Sequence, residues 1–242
     1  MRTKRYVPGG LSLVLILWLG VAMATEATKA DKPIKVMQIW FEQSEAGIQP
    51  YVTRLLVTNH FLRFDDGVDD GNFVLFDRHS REVHNFNHED RSHILIRPQP
   101  LSPVDFEMDY RVTSNVLDKA PRINGNSPVE HRFYADNQLC KTSVNVDGLL
   151  PDAVDALMDF EMAVAAQGLQ TLDLVPAAMQ SACFMANNYL HVIDYLKPGF
   201  PLSVSDNQGR QKRLLRFEEV EKPLQLFQLA EDYRVFYPTL ND

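Results

Sequence analysis

The spacing of apolar residues changes twice along this chain, and these two changes constrain the fold more than any single motif does. Across residues 34–146, short runs of apolar and β-branched residues are separated by turn-forming residues, a pattern typical of β-strands. Across residues 152–167, apolar residues recur at helical spacing, with Pro151 before the segment and Gly168 after it. Beyond residue 201, strand-like runs return. The sequence therefore predicts an α+β protein whose helices are inserted late in the chain, between strands.

The clearest strand signal lies at residues 104–112, where apolar and charged side chains alternate strictly. The apolar members are Val104, Phe106, Met108, Tyr110 and Val112. Such alternation is typical of a strand with one buried and one solvated face. The comparable runs elsewhere predict roughly six to eight strands before the helices and two to four after them.

A second helix is expected after Pro176, because apolar residues again recur at helical spacing. Its stripe consists of Met179, Ala182, Cys183 and Ala186. Consecutive hairpins in the first part of the chain predict a meander, and hence one curled antiparallel sheet that forms an open or half β-barrel. Two amphipathic helices must bury their stripes against another element. We therefore expect both helices to pack on the concave face of the sheet.

The N-terminus has the pattern of a secretory signal peptide. A basic start is followed by an apolar run over residues 11–24 that ends in the small-x-small site Ala22-Met23-Ala24. The run covers about 14 residues, fewer than the ~20 that a membrane-spanning helix needs, although a membrane anchor is the alternative. The expected organisation is a cleaved signal peptide at 1–24, a flexible leader at 25–33 and a single half-barrel domain at 34–242. The chain is then periplasmic or secreted and does not span a membrane after cleavage.

The net charge excludes some classes of partner. The formal net charge is −8. The predicted signal peptide contains three basic and no acidic residues, so its removal lowers the net charge to −11. Nucleic-acid binding relies on clustered Lys and Arg at phosphates, so an acidic chain is not expected to bind nucleic acid.

The two cysteines, Cys140 and Cys183, suggest a disulfide, because an even number of cysteines in an oxidising compartment usually pairs. Two buried thiols are the alternative. Cys140 shares a predicted strand face with Val144, and Cys183 lies on the apolar stripe of the second helix. A bridge between them would clamp the helices to the sheet. Closing a loop of about 44 residues would stabilise the fold by about 4 kcal/mol in the chain-entropy model.

Three sequence segments resemble the periplasmic lipoprotein-carrier (LolA/LolB-like) superfamily and its exported, uncharacterised relatives. The first is the strand end Leu62-Arg63-Phe64-Asp65-Asp66-Gly67. The second is the hairpin Val74-Leu75-Phe76-Asp77-Arg78 with Val83-His84-Asn85-Phe86-Asn87-His88. The third is Gly209-Arg210 with Leu226-Phe227-Gln228-Leu229 and Tyr233.

The resemblance implies a hydrophobic cup that receives acyl chains or another apolar ligand, with the helices as its lid. No lipid-contacting residue can be transferred by position. The residues themselves provide candidates for the cup, since Met side chains adapt to irregular apolar ligands. These candidates are Phe106, Met108, Tyr110, Leu157, Met158 and Met162. An ordinary filled core is the alternative interpretation of the same residues.

Four histidines between residues 79 and 93 raise the question of a metal site. They are His79, His84, His88 and His93. A hairpin that turns at residues 88–91 would place His93 opposite Phe86 and His84 opposite Leu95. From this register we expect that the rings do not converge, and we predict no metal site and no cofactor.

The acidic segment 65–70 is predicted to be a hairpin turn. Aligned with a calcium-binding loop, it would offer Asp66, Asp70 and Asp77 as ligands, but Val68 occupies a position that requires oxygen. No nucleophile elbow or phosphate-binding glycine loop is present in the sequence. We therefore expect a non-enzymatic protein.

Two functions remain. The first is a periplasmic binding or carrier protein for an apolar small molecule, a lipid or an acyl group held in the half-barrel cup. The alternative is a structural or assembly protein that binds a protein partner in the cell envelope. An open apolar cavity between sheet and helices would favour the carrier, and a filled core would favour the partner-binding protein.

Overall fold

A computed structural model describes residues 32–101, 103–229 and 232–238 of the chain. The predicted signal peptide and nearly all of the predicted leader lie outside the described residues. Twelve strands form one sheet. In chain order they are β1 (Pro33–Glu45), β2 (Ile48–Val57), β3 (Phe61–Asp65), β4 (Phe73–Asp77), β5 (Val83–Asn87), β6 (Ser92–Ile96), β7 (Tyr110–Val116), β8 (Val129–Ala135), β9 (Gln138–Val146), β10 (Phe200–Asp206), β11 (Gln211–Pro223) and β12 (Arg234–Phe236).

Two α-helices, α1 (Pro151–Gln170) and α2 (Ala182–Met185), lie between β9 and β10 in the sequence, so the helices are late in the chain as predicted. A π-helical turn, Ala186–Leu190, continues α2. Within the described residues, nine strands precede α1, which is more than the six to eight expected, and three follow.

The sheet is open, and its strand order is β12-β6-β5-β4-β3-β2-β1-β11-β10-β9-β8-β7. Neighbouring strands are antiparallel except at one edge, where β12 pairs in parallel with β6. The expectation of a purely antiparallel sheet is therefore wrong at this edge. The C-terminal segment returns across the molecule before it pairs, so β12 does not form a hairpin with the strand that precedes it.

Residues 104–109 do not form the strand that their alternation predicts, since β7 begins only at Tyr110. The alternation still matches their burial, because every second side chain is half-buried. The reason lies in the partner strand, β8, which ends at Ala135 and turns at Asp136-Asn137, two residues with positive φ. Residues before Tyr110 therefore have no partner strand in β8.

Helix α1 packs on one face of the sheet and forms the main core with it. Its buried side chains are mostly small: Ala153, Ala156, Leu157, Ala165 and Ala166. Small side chains let the helix axis approach the sheet closely. The same core cluster contains residues from both halves of the sheet, among them Ile39, Leu55, Phe76, Phe133 and Phe200.

The second helix is shorter than its apolar stripe suggests. Met179 belongs to a separate 3-10 turn and is 61% exposed. The hydroxyl of Ser181 accepts a hydrogen bond from the backbone N–H of Phe184, so α2 begins after Ser181 and not after Pro176.

The opposite face of the sheet carries a second core and a buried charge network. The 3-10 turn Leu224–Phe227 covers apolar side chains of β1, β2, β4 and β5. Beside it, Arg54 donates two hydrogen bonds to Asp65, and Arg63 donates one to the same carboxylate. Segment 65–70 forms part of the turn between β3 and β4, as predicted.

The disulfide between Cys140 and Cys183 is confirmed, with their Cα atoms 5.0 Å apart. It joins β9 to α2, and both residues are buried in a small cluster with Ala135 and Ala186. None of the described helices is long and apolar enough to cross a membrane.

Candidate ligand-binding site

A cavity of about 520 Å³ lies where the start of α1 meets the ends of β1 and β2. Most of its lining is apolar, and the polar side chains belong to a few positions. The lining consists of Ile34, Lys35, Val36, Met37, Val57, Thr58, Asn59, His60, Phe61, Leu150, Pro151, Asp152, Ala153, Glu219 and Leu224.

The cavity exists because the first residues of β1 extend beyond the last residue of β2, its antiparallel neighbour. Met37 pairs with Val57, the last residue of β2, and the residues of β1 before Met37 pair only with β11. The chain then turns through Thr58, whose hydroxyl accepts a hydrogen bond of 2.8 Å from the backbone N–H of Phe61. The side chain of Arg78 donates a bond of 3.0 Å to the carbonyl of Thr58. This fixed turn leaves space beside the first residues of β1.

The helix side of the cavity is also apolar. Leu150 has a left-handed backbone with φ of 48°, and Pro151 occupies the first turn of α1. Proline suits this position because its missing N–H would have no intrahelical partner there. Ala153 presents only a methyl group toward the sheet and is 2% exposed. A small residue at this position leaves the space below the first helical turn unfilled.

Charged side chains are confined to the rim. Lys35 and Glu219 form an ion pair of 2.9 Å whose side chains are 76% and 58% exposed. The hydrogen bond and charge of Glu219 raise the pKa of Lys35. Asp152 and His60 are also exposed. This arrangement suits an apolar group inside the cavity with any polar end at the rim. The hydrophobic pattern of a single segment does not locate this cavity, because the cavity depends on how far β1 extends past the end of β2.

The predicted cup residues are divided between different places. Leu157 is buried in the main core, and Met158 packs against it. Phe106 and Met108 line a separate, open depression with Leu190 and His191. Tyr110 packs against both the main core and the disulfide cluster, and Met162 is half-buried on α1. The structure thus brings Tyr110, Leu157 and Met158 to one cluster, and it places Phe106 elsewhere.

Tyr110 is held in a polar contact network. Its ring stacks on His191, with 3.5 Å between the ring centroids. His191 Nδ1 lies 2.9 Å from a carboxylate oxygen of Asp194, and Lys197 donates a bond of 2.7 Å to the other oxygen. Burial raises the pKa of Tyr110, so its hydroxyl stays protonated.

The histidine register was predicted correctly, but one conclusion from it was wrong. His93 lies opposite Phe86 and His84 opposite Leu95, as expected. Nevertheless, His84 Nδ1 and His93 Nε2 are 3.0 Å apart. The two residues are diagonal neighbours on the same face of the hairpin, within reach of ring side chains. Burial lowers the pKa of both rings, which favours their neutral forms. Among the residues that the structure describes, there is no group of three or more His, Cys, Asp or Glu side chains that could hold a metal ion.

Comparisons with known proteins give no family for this chain. No family model matches the sequence, and no curated protein does. Among solved structures, an uncharacterized conserved protein from Thermus thermophilus aligns over 86% of this chain and 92% of its own, at 12% identity and a TM-score of 0.40. A structure of PNGF-II in the C2 space group aligns over 84% of this chain at 10% identity, also with a TM-score of 0.40. The chain covers only 31% of PNGF-II. Similarity at this level assigns neither fold family nor function.

Proposed function

We propose that this chain is an exported, non-enzymatic binding protein that holds an apolar ligand, a lipid or an acyl group, in the cavity at the start of α1. The observation that carries the proposal is the cavity itself. Its volume of about 520 Å³ lies within the range of roughly 300–1,000 Å³ that is usual for small-molecule sites. Its apolar lining and charged rim match an elongated ligand with one polar end.

We also propose that α1 packs on the concave side of a half-barrel, as in the LolA/LolB-like superfamily that the sequence resembles. Three consecutive residues of α1 support the curvature. Asp159 accepts a bond of 2.7 Å from Arg81 in the turn between β4 and β5, and Phe160 packs on Phe76 of β4. Glu161 accepts a bond of 3.0 Å from Tyr195, whose carbonyl is bonded to β9.

A curled sheet would explain how these contacts coexist. Residues 159 and 161 are only about 3 Å apart along the helix axis, and a helix with its side chains is about 10–12 Å wide. In a flat sheet, the six strand spacings from β4 to β9 would cover about 29 Å. A sheet that wraps around α1 would let a single helical turn contact both halves of the sheet.

Export is supported by the disulfide and by the predicted signal peptide. Intramolecular disulfides persist mainly in oxidising compartments such as the periplasm or the extracellular space. The proposed location is therefore periplasmic or secreted, where a carrier for lipids or acyl groups would meet its ligand.

The proposal is tested with decanol, an uncharged probe with a single apolar chain. Isothermal titration should show saturable binding to the exported form of the chain. Met37→Trp places a large ring in the cavity and should weaken binding at least tenfold. Met162→Trp changes a half-buried methionine further along α1 and should leave binding unchanged.

Two results would overturn the assignment. If Met162→Trp abolishes decanol binding while Met37→Trp does not, the ligand sits among the residues predicted from sequence and not in this cavity. If decanol does not bind, and native mass spectrometry of protein from the cell envelope shows only the bare chain, the partner-binding alternative replaces the carrier.

A further inference from the structure

The two edges of the sheet are built differently. At one edge, the three-residue strand β12 covers β6. At the other edge lies β7, which is seven residues long and has a neighbouring strand, β8, on one side only among the described residues. A free edge presents unpaired N–H and C=O groups, and proteins usually shorten, cover or charge such an edge to prevent association. The chain therefore covers one long edge and leaves the other open.

The backbone of β7 has groups that point away from the sheet. The N–H of Leu117 donates to the carbonyl of Pro128, and the carbonyl of Asp109 accepts from the N–H of Asp136, both at 2.9 Å. The pairing of β7 with β8 runs between these two bonds without a shift in register. In an antiparallel ladder, the N–H and C=O of one residue point the same way, and the direction alternates along the strand. The residues whose groups point outward are Tyr110, Val112, Ser114 and Val116.

The strand also lacks the features that normally protect an edge. It contains no proline, no lysine and no acidic residue, and it has no bulge against β8. Its single charged group, the guanidinium of Arg111, lies 3.9 Å from the centroid of the Tyr134 ring on β8, and so does not guard the free side. Val112 and Val116 are 44% and 49% exposed. This exposed strand has the composition of one that is paired on both sides.

A second copy of β7 fits this edge in antiparallel orientation. The register centred on Thr113 pairs all seven residues of the strand. It places Tyr110 opposite Val116 of the second copy, and Val112 opposite Ser114. These four residues are the ones with outward backbone groups, so each opposed pair can exchange two hydrogen bonds. The aromatic and β-branched side chains of Tyr110 and Val116 form a favourable cross-strand pair.

The other face of the paired strands is compatible with the same register. Thr113 lies opposite its own copy, and threonine pairs stabilise neighbouring strands. Arg111 lies opposite Asn115, so the two copies of Arg111 are about 13 Å apart along the strand direction. This separation exceeds the Debye length of about 8 Å at physiological ionic strength, so their repulsion is screened.

We propose that β7 is a self-association surface, through which two copies of this chain pair antiparallel about a twofold axis at Thr113. The pairing joins the two sheets into one continuous sheet. Because the opposite edge ends in the short strand β12, association stops at two copies. None of the residues of β7 lines the cavity at the start of α1, so the dimer does not depend on what the cavity holds.

The test is sedimentation velocity of the exported form of the chain, without added ligand, at about 1 to 500 µM. The chain should change from monomer to dimer with a Kd in the micromolar range. A weak dimer is expected because one pair of short strands buries less surface than a standard stable interface does. Met37→Trp should dimerise like the unaltered chain even when it no longer binds decanol.

A proline variant tests the role of the backbone. Val112→Pro removes an N–H that points away from β8, so the dimer loses a donor from each copy while the ladder with β8 loses none. It should weaken dimerisation at least tenfold and leave Tm within a few degrees. Val112→Thr is the matched control, since it retains the N–H and the β-branched shape, and its Kd should stay within about threefold of the original.

Two cysteine variants test the register, and they remain informative if the proline variant folds poorly. Thr113→Cys places two cysteines directly opposite each other, within the distance that a disulfide spans. Asn115→Cys is equally exposed, but its two copies lie about 13 Å apart along the strands. Under mild oxidation with glutathione, Thr113→Cys should form a covalent dimer at least tenfold faster than Asn115→Cys, as measured by non-reducing electrophoresis.

The proposal is wrong if the chain stays monomeric up to 500 µM, if it forms assemblies larger than a dimer, or if Asn115→Cys cross-links as fast as Thr113→Cys. Equal dimerisation of Val112→Pro and Val112→Thr would also overturn it. If the chain is monomeric and Thr113→Cys instead cross-links to a different protein in the cell envelope, the edge accepts a foreign strand and not a second copy. Loss of decanol binding with retained dimerisation contradicts the cavity proposal alone.

Discussion

Removing the disulfide should lower the free energy of unfolding by an amount that depends on the number of residues between the two cysteines. Cys140 and Cys183 are 43 residues apart, and the chain-entropy model assigns about 4 kcal/mol to a cross-link of that length. The bridge acts mainly by limiting the conformations of the unfolded chain. For a domain of 150–250 residues, 1 kcal/mol corresponds to about 2–4 °C in Tm, so the expected decrease is about 8–16 °C.

The perturbation is Cys140→Ala together with Cys183→Ala. Both residues are 1% exposed, so serine would bury two hydroxyl groups and confuse the result. Scanning calorimetry should give the decrease in Tm, and the unaltered chain in a reducing agent should melt within a few degrees of the variant. If the two Tm values agree, the decrease comes from the loss of the cross-link and not from the loss of packing by the sulfur atoms.

Urea unfolding supplies a second measurement of the same effect. Without the cross-link the unfolded chain expands and exposes more surface, so the m-value should increase while the midpoint decreases. A loss of less than 1 kcal/mol, with an unchanged m-value, would refute the reasoning, because it would mean that the loop is already constrained in the unfolded state.

Three further predictions concern charges and metals. Because burial lowers the pKa of His84 and of His93, the unfolded chain binds more protons than the native one, and the free energy of unfolding should fall as the pH decreases below about 6.5. Urea midpoints measured from pH 7.5 to 5 test this, and midpoints that do not change with pH would contradict it. Arg63→Met should cost about 3–5 kcal/mol, because Asp65 loses one of its two arginine partners and the backbone carbonyls of Leu226 and Asp69 each lose a donor. The exposed Arg213→Met should cost less than about 1 kcal/mol, and equal urea midpoints for the two variants would disprove the difference. Chelation with EDTA should leave Tm unchanged, and a decrease of several degrees would reveal a metal that the histidine argument missed.

The strands between residues 61 and 96 were predictable because each is bounded by strong turn signals. Asp66 to Asn72 separate β3 from β4, and His88 to Arg91 separate β5 from β6. Hairpin partners are local in sequence, so the turn also determines the register. The position of His93 opposite Phe86 was obtained in this way.

Features that depend on distant parts of the chain were not predictable from local patterns. The alternation at residues 104–109 describes which side chains are buried, but strand formation also needs a partner, and β8 has ended there. The parallel pairing of β12 with β6 joins segments about 140 residues apart, for which hairpin reasoning offers no rule. The contact between His84 and His93 was missed because only directly opposite positions were considered, whereas diagonal positions also touch.

The candidate site was the least predictable part, because it is defined by unfilled space. The apolar pattern of Ile34, Val36 and Val57 indicates strands, but the cavity depends on how far β1 extends past β2 and on the small size of Ala153. Neither quantity appears in the hydrophobic pattern of a single segment.

The positions of the disulfide and of the cavity give the proposed lid a direction of opening. Near α2 the covering layer is fixed to β9 by a covalent bond, which thermal motion does not break. Over its first three turns, α1 is held by the burial of Ala153, Ala156 and Leu157 and by the half-exposed ion pair between Arg81 and Asp159, which is worth at most about 1 kcal/mol. If the proposed ligand enters at the cavity, we expect it to displace the non-covalently held start of α1 while the disulfide keeps α2 on β9.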